Sequence, residues 1–587
     1  MTSNSSLAVS QLDVVGIKDD LISYYKASDK FKDYDYEGSN LSSLLDVMAY
    51  NTYLNSFYTN MAINEMYLDS AVLRESIVSR AKDLNYLPRS SRSSQASIDI
   101  TIYPPDSPAY VKLSKGTNFQ GTSGNSVFTF SLDSDLYITG ISNSYTSNAV
   151  SIYEGYYVTE KFIVDTTSEN QRFTLSNKNI DTTSLTVTVT NSILVPEPWD
   201  FASSLLGVTT QAKVYFLQAT GNNYEIIFGD NVVGKYPING SIITANYRVC
   251  NQDSPNGISK FKATSNLGGY SNYIVSTSLD ISGNAIKSYG GIGPETSASI
   301  KYYAPRSYQT LDRAITKEDY KTILYTKYPE IRAIHVYGGD ELSPPQYGKV
   351  LIAVDIKNVT GLSNIEAAKI QSFLSTKSVI TISPIVVGPD YTFIAVSSNI
   401  KYNMNKSDLS SSDIQSLVID SIKNYNSSSL TNFDIRFRYS KLVSAIDNSD
   451  SSILDNETNV FIFKKINPES GVEFSSTLDY QNELVPGTIY SSAFTFGGLP
   501  AFFSDDGNGN LQVKSTTNNV VSVLATVGTI DYTSGIISLS SVLISDYVGT
   551  SINIFATSKS HDFSVSKNVI LQIDENNINV DVQGIRE

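Results

Sequence analysis

The chain has 587 residues, of which 41% are hydrophobic and only 17% are charged, and its formal net charge is −15. A chain of this length is too long for one hydrophobic core and predicts about four domains. Its acidic balance disfavours nonspecific binding to nucleic acid, because a negative surface repels phosphates.

The cysteine count and the start of the chain indicate the cellular context. The single cysteine, Cys250, excludes an intramolecular disulfide framework and any multi-cysteine metal site, and it fits a reducing compartment. Residues 1–11 are rich in serine and lack the apolar stretch of a signal peptide. No window approaches the ~20 apolar residues that cross a bilayer. We therefore expect a soluble protein made in the cytoplasm, without a membrane partner.

Residues 1–90 predict a helical region. A short amphipathic helix is expected over residues 17–26, and a longer helical block follows over residues 39–88. Ser39 or Asn40 can cap that block with a side-chain oxygen, and Pro88 must end it because proline lacks the N–H of a helical residue.

Apolar side chains recur at helical spacing along this block. They are Leu41, Leu44, Leu45, Met48, Leu54, Phe57 and Met61. Such a face, interspersed with tyrosine and asparagine, is too polar for a dry core and too apolar for open water. We predict that these seven residues contact partner chains. The alternative is that they fill the core of a small helical domain.

Residues 91–287 predict β structure. The serine-rich residues 90–94 are expected to form a polar linker. Beyond them Ile98, Ile100 and Ile102 alternate with polar residues, which is typical of a half-buried strand. Short alternating segments separated by glycine, asparagine or aspartate turns continue to about residue 275 and predict a β-sandwich-like domain.

The glycine cluster Gly290, Gly291 and Gly293 marks a second boundary, and we predict that it acts as a hinge. Residues 288–460 then predict an α+β domain, with helices near 295–304, 316–325, 363–374 and 414–425. Strands are expected between them at 334–337, 349–356 and 391–401. Residues 461–587 predict an all-β domain that includes a strand–turn–strand unit at 528–537. The expected fold class is thus multidomain α+β.

Residues that could support catalysis are few. The two histidines, His335 and His561, lie in different predicted domains, and neither has a nucleophile and an orienting group nearby in sequence. Cys250 is expected to be a small buried hydrophobe. Paired carboxylates for glycoside hydrolysis remain possible, but no motif indicates which two. We therefore predict no enzyme activity and no cofactor or metal.

Three short motifs have both a chemical and a structural interpretation. The cluster at Gly290 lacks the Lys-Ser/Thr of a phosphate-binding loop, which favours the hinge. Residues 505–510 resemble half of a calcium loop without its final glutamate, so a hairpin turn is favoured. Residues 436–439, Arg-Phe-Arg-Tyr, could stack on single-stranded nucleic acid, but the acidic chain favours a strand with one solvated face.

Several of these segments also resemble a known family. The run DYDYEGS (33–39), the helix LLDVMAYNTYLNSF (44–57) and the exit NYLPRS (85–90) are similar to the N-terminal part of the baseplate wedge protein of T-even-like contractile-tailed phages. The run from Phe228 to Val249 and the sequence at 302–320 resemble the baseplate J-like domain that this family carries. The resemblance covers most of residues 12–460 and is less distinct beyond them.

The resemblance implies a structural subunit of the virion tail baseplate, assembled in the cytoplasm of a bacterial host. It implies contacts with copies of the same chain, as a dimer within a wedge and as a ring between wedges, and the C-terminal residues 461–587 are expected to take part in contacts between subunits. It also implies contacts with a larger baseplate wedge protein and with a small lysozyme-fold-like baseplate subunit. It also implies that the subunit transmits the conformational change of sheath contraction. Two alternatives stay open: a tail-associated adhesin that binds host glycans, and an envelope hydrolase.

Overall fold

The computed structural model describes residues 13–27, 39–141, 143–168, 171–191, 195–203, 205, 207–279, 285–342, 344–357, 361–407, 409–517, 520–549 and 551–586. The predicted runs at 1–11 and 33–38 lie outside these residues.

Three helices open the described chain: α1 (Val14–Lys26), α2 (Asn40–Glu65) and α3 (Arg74–Asp83). The helices α1 and α2 pack against each other as a hairpin. The third helix packs instead on the β region that follows, through its buried Ile77, Val78 and Ala81. The helical region therefore consists of a hairpin and a separate anchoring helix.

Sixteen strands follow among the described residues between 95 and 277. They are β1 (Gln95–Ile102), β2 (Val111–Leu113), β3 (Asn118–Ser123), β4 (Ser126–Leu132), β5 (Leu136–Ile138), β6 (Gly140–Ile141), β7 (Ser144–Glu154), β8 (Tyr156–Ile163), β9 (Phe173–Thr174), β10 (Ile180–Thr190), β11 (Pro196–Phe201), β12 (Val214–Thr220), β13 (Asn223–Phe228), β14 (Ile242–Val249), β15 (Phe261–Ala263) and β16 (Tyr273–Thr277).

Fourteen of these strands form two seven-stranded sheets, and β2 and β5 pair separately as a two-stranded sheet. The first has the order β15-β3-β4-β7-β1-β16, with β6 beside β7, and the second has the order β8-β14-β10-β11-β12-β13-β9. Strand β1 alternates half-buried and buried residues along its length, as the period-two pattern predicts. Each sheet has its own apolar core, so the region holds two cores rather than one.

An α+β unit follows. It contains α4 (Ser297–Thr310), α5 (Lys317–Lys327), β17 (Ile331–Gly338), a short 3₁₀ turn (Gly339–Glu341), β18 (Lys349–Ile356), α6 (Asn364–Ser375) and β19 (Ser383–Val387). The three strands form one sheet in the order β17-β18-β19. Thr316 and Asp319 make the predicted capping box at the start of α5.

The remaining elements build the C-terminal part. They are β20 (Asp390–Asn403), α7 (Ser411–Ser429), β21 (Arg436–Phe437), α8 (Tyr439–Asp447), β22 (Ile453–Ile466), β23 (Glu473–Asp479), β24 (Tyr490–Ser491), β25 (Phe494–Phe496), β26 (Leu499–Asp505), β27 (Asn510–Thr517), β28 (Val520–Asp531), β29 (Ile536–Leu543), β30 (Asp546–Tyr547), β31 (Ile552–Ala556), β32 (Phe563–Ser564) and β33 (Val569–Ile585).

A twelve-stranded sheet organises this part. Its main order is β23-β29-β28-β27-β26-β24-β31-β22-β20-β33. The last strand, β33, pairs in parallel with β20 over most of its length. Residue 460, the predicted end of the α+β domain, lies within β22. The strand β20, which lies inside the predicted α+β domain, pairs with β33 from the predicted C-terminal domain. The division at 460 stays a prediction.

The predicted fold class is confirmed: the protein is multidomain α+β, with an N-terminal helical segment and a strand-rich C-terminal region. The strand–turn–strand unit at 528–537 is confirmed as β28 and β29. The extended interpretation of residues 436–439 is wrong at its end, because α8 begins at Tyr439. The Asp562 carboxylate accepts the Tyr439 N–H, and Leu442 and Ile446 bury one face of the helix.

The polar residues at 90–94 do not form an exposed linker. All four serines there are buried, and the Ser93 N–H donates to the Asp181 carboxylate at 2.9 Å. Arg92 pairs antiparallel with Ile292, and Gln95 with Tyr289. The two chain segments that cross between regions are therefore hydrogen-bonded to each other. Gly290 and Gly291 of the predicted hinge lie within this paired joint, and Gly293 follows directly after it.

Two of the joint glycines differ in their surroundings. A Cβ on Gly291 would meet the backbone oxygen of Gln252 at 2.1 Å, whereas a Cβ on Gly290 would meet nothing within 4 Å. Gly290 has φ +83°, so alanine there is strained but not blocked.

We expect Gly291→Ala to lower the melting temperature more than Gly290→Ala. The reason is that Gly291→Ala forces backbone to move, whereas the left-handed strain of Gly290→Ala costs only about 1–2 kcal/mol. Differential scanning fluorimetry of the two variants beside the wild type measures the difference. Equal melting temperatures would show that the joint is not closely packed.

Candidate assembly surface

The α1–α2 hairpin is defined by its caps. The Asp13 carboxylate accepts the Val15 and Gly16 N–H groups at the start of α1. The Ser39 hydroxyl accepts the Ser42 N–H at the start of α2, which confirms Ser39 as the predicted cap. Lys18 and Asp46 form an ion pair between the helices, but at this exposed site it contributes little to stability.

Only a narrow stripe of α2 is buried. Ser42, Leu45, Ala49 and Asn60 are the buried residues among its 26, and their spacing places them on one side of the helix. On α1 a single residue, Ile17, is buried. The hairpin thus covers little of the apolar surface that α2 carries.

The opposite side of α2 is apolar and open to solvent. Leu44 is 58% exposed, and Val47 and Tyr58 are more exposed still. So many exposed apolar side chains on one helix are typical of an interaction site rather than of a free helix. We call the exposed set the α2 apolar face: Leu44, Val47, Met48, Tyr50, Phe57, Tyr58 and Met61.

The seven residues predicted for partner contacts do not share one environment. Leu44, Met48, Phe57 and Met61 are exposed, Leu41 and Leu54 are half-buried, and Leu45 is buried at 1% exposure. Sequence reasoning missed Val47, Tyr50 and Tyr58, which lie between the residues chosen by spacing. Their hydrophobicity was the available signal, since most apolar residues of α2 outside the buried stripe are exposed. Partner contact by this surface stays a prediction.

An elbow connects this surface to the body of the protein. The Glu65 carboxylate accepts the Val72 N–H at 2.8 Å and the Leu73 N–H at 3.3 Å, where α3 begins without a side-chain cap of its own. Although burial alone would raise it, these backbone hydrogen bonds and one from Ser76 hold the pKa of Glu65 below its ordinary value. The last residue of α2 therefore fixes the direction in which α3 leaves.

Glu295 fastens α3 and the chain after it to α4. This buried carboxylate accepts the Tyr86 hydroxyl at 2.9 Å, the Arg89 N–H at 3.1 Å and the Ser299 hydroxyl at 2.6 Å. Its carbonyl oxygen accepts from the Arg74 guanidinium at 2.5 Å. Burial and the Glu295 charge raise the pKa of Tyr86, so its hydroxyl remains a donor at any physiological pH.

The residues considered for catalysis lie apart. His335 is in β17, between the rings of Tyr337 and Phe433, and burial lowers its pKa. His561 lies beside Tyr439. Cys250 is buried, as predicted, and burial raises its pKa to about 11, so the thiol is protonated and unreactive near neutral pH.

Within the ranges that the structure describes, no group of three or more metal-ligating side chains converges. Residues 506–509 form the predicted hairpin turn between β26 and β27, where the Asp506 carboxylate accepts N–H groups of Asn508 and Asn510. No helix in the described part of the chain is long and apolar enough to cross a membrane.

Comparisons with known proteins bear on this surface directly. Residues 14–86, which span the hairpin and α3, match the family model described as baseplate wedge protein gp6-like, helical domain. Residues 316–387 and 390–465 match the models for baseplate structural protein gp6, C-terminal domains I and III.

One relative extends over most of the chain. Baseplate wedge protein gp6 of Enterobacteria phage T4 is 25% identical over 505 residues, which is 82% of this chain and 74% of that protein. The structural match to a chain in the cryo-EM structure of the anti-feeding prophage (AFP) baseplate covers 76% of this chain and 86% of that one. The two are 14% identical in sequence, and the TM-score is 0.28. The family models and the T4 relative confirm the resemblance found in the sequence and do not favour an adhesin or a hydrolase.

The adjacent residues Leu44 and Leu45 provide a matched pair for the hairpin. We expect Leu45→Asp to unfold it, because an unpaired carboxylate in a buried site costs several kcal/mol. Leu44→Asp should leave the helix content unchanged, because Leu44 already faces water. Far-ultraviolet circular dichroism and limited proteolysis of the first 90 residues distinguish the two outcomes. Unfolding by both variants would show that the α2 apolar face is internal core.

Proposed function

We propose that the chain acts as a gp6-like baseplate wedge protein of contractile-tailed phages and forms part of the inner baseplate ring. In this role it contacts copies of itself and other wedge proteins, and it transmits conformational change when the sheath contracts. It acts as a structural subunit rather than as an enzyme. It resides in the virion tail baseplate after synthesis in the host bacterial cytoplasm.

The α2 apolar face is the observation that carries this proposal. A helix hairpin that buries one narrow stripe leaves most of its apolar area in water, and helices of this length gain most of their stability from packing against a partner. The α2 apolar face contains no charged residue, so it suits partner helices that present leucine, methionine and aromatic side chains. The partners proposed for it are a second copy of the chain and a larger wedge protein, with a small lysozyme-fold-like subunit nearby.

Packing from α2 to the body supports a role in transmitting motion. Glu65 fixes the start of α3, and α3 contributes Ile77 and Val78 to the same core as Ile300 of α4. Helix α4 packs on α5, and α5 packs on β17. A displacement of the hairpin by a partner would therefore move several rigid elements together.

The hinge at Gly290, Gly291 and Gly293 remains part of the proposal in a more specific form. Residues 289–292 pair with residues 92–95, and the Gly291 N–H donates to the Asn256 side chain at 3.1 Å. Rotation at this joint must therefore carry both crossing segments together, rather than bend one flexible strand.

We expect charges on the α2 apolar face to block tail assembly without unfolding the chain. Met48→Asp combined with Phe57→Asp places two carboxylates at exposed positions, where burial under a partner costs several kcal/mol per charge. The measurement is the number of complete tails, counted by electron microscopy in lysates of phage that carry the variant.

The control is Ser79→Asp, which adds a carboxylate at an exposed position of α3 outside the face. The control should assemble tails at the wild-type level. Normal tails from the double variant, with its helix content intact, would show that this face is not a partner surface.

A further inference from the structure

Helices α4 and α5 are neighbours in sequence but belong to different cores. Ile300 of α4 lies in the core that α3 shares with the second seven-stranded sheet. Leu324 of α5 lies in the core of the α+β unit. The family model for C-terminal domain I also begins at residue 316, the cap of α5. The turn between the two helices, residues 311–315, is therefore where the chain passes from one core to the other.

Two successive residues of this turn have a left-handed backbone conformation. Leu311 has φ +47° and Asp312 has φ +59°. This conformation is sterically unfavourable for a residue with a Cβ, and glycine is the usual residue where a helix ends in this way. The Leu311 side chain does little to offset the strain, because it is 59% exposed. The turn therefore holds backbone strain at the boundary between the two cores.

Contacts with the segment that follows α6 hold the strained turn in place. The Asp312 carboxylate accepts from the Lys377 ammonium, and the Ala314 N–H donates to the Lys377 carbonyl oxygen at 3.0 Å. The Asp312 N–H also donates to the Thr310 hydroxyl at 3.3 Å. A strained backbone persists only where its surroundings determine it closely, and such sites are often switch regions.

Two polar contacts hold the α+β unit to the paired joint. The Arg92 guanidinium donates to the Glu330 carboxylate at 3.2 Å and to the Lys327 carbonyl oxygen at 2.7 Å. The Tyr289 hydroxyl donates to the Glu366 carboxylate at the start of α6. Each crossing segment thus has one contact with a carboxylate of the α+β unit. We call the pairs Arg92–Glu330 and Tyr289–Glu366 the joint clasp.

We propose that the strained turn and the joint clasp oppose each other and make the α+β unit a switch with two orientations. Strain at Leu311 and Asp312 favours an orientation in which the turn relaxes, whereas the clasp favours the orientation described here. An ion pair that exchanges its partner for water loses only a modest free energy, so backbone strain can offset it. The inference rests on the proposed function only for its consequence in the tail, where contraction would drive the unit from one orientation to the other.

Glycine at the turn provides the first test. Glycine adopts the left-handed conformation without steric cost, so Leu311→Gly should raise the melting temperature by about 1–3 °C. The matched control is Ile315→Gly, which removes a similarly exposed side chain at a position without positive φ and should lower the melting temperature. Differential scanning calorimetry measures both. A melting temperature of Leu311→Gly at or below that of the wild type would overturn the proposal.

A distance between spin labels reports the orientation itself. Val232→Cys places one label on the β region, and Ile380→Cys places the other on the α+β unit, both at exposed positions. The native Cys250 is buried and its thiol is protonated, so it does not take a label. Double electron–electron resonance on the full chain then gives the distance distribution.

The second test opens the clasp with two conservative changes. Glu330→Gln removes a charge, and Tyr289→Phe removes a hydroxyl while keeping the buried ring. With both changes a second distance should appear beside that of the parent chain. Adding Leu311→Gly should lower the population at this second distance by at least about threefold. A single unchanged distance in the clasp variant, or a second population that Leu311→Gly leaves unchanged, would overturn the proposal.

Contraction of isolated tails separates this inference from the proposed function. The clasp variant and Leu311→Gly should shift the urea concentration at which tails contract in opposite directions. Shifts in the same direction, or no shift while the distances change, would overturn the link between the switch and contraction and leave the wedge role standing. If the wild-type chain never enters tails, the wedge role itself is wrong.

Discussion

The organisation of this protein depends on how little of helix α2 is buried by the rest of the chain. One short helix, α1, supplies a single buried residue, Ile17, to a partner helix of 26 residues. Apolar area that stays in water costs free energy in proportion to its extent, and only another surface can remove that cost. The described chain therefore leaves apolar surface of α2 in water, and the proposed contact with neighbouring chains would give the rest of the molecule a reason to be rigid.

That rigidity comes from buried polar contacts rather than from apolar packing alone. Glu295 accepts from Tyr86 and Arg89 in one segment and from Ser299 in its own, and so joins two segments that are distant in sequence. The paired residues at 92–95 and 289–292 hold the two crossings between regions side by side. A carboxylate with several donors inside a protein fixes geometry closely, because each lost hydrogen bond leaves a buried group unsatisfied. Under the proposed role, a displacement of the hairpin would therefore act on elements that are joined to one another.

Much of the fold could be predicted from local patterns. Helix caps such as Ser39 and Thr316, and the alternation in β1, depend on residues that are close in sequence. The burial of residues 90–94 could not, because their partners, such as Asp181 and Ile292, lie ~90–200 residues away in sequence and no local periodicity encodes such contacts. For the same reason the spacing that selected Leu44 and Leu45 together could not show that one faces α1 and the other faces water.

The central claim is that the α2 apolar face is open in the free chain and covered in the assembled tail. Hydroxyl-radical footprinting tests it through Met48 and Met61, which are both exposed and readily oxidised. The account predicts that both methionines react in the purified chain and are strongly protected in isolated tails. Equal oxidation of both residues in the two samples would contradict it.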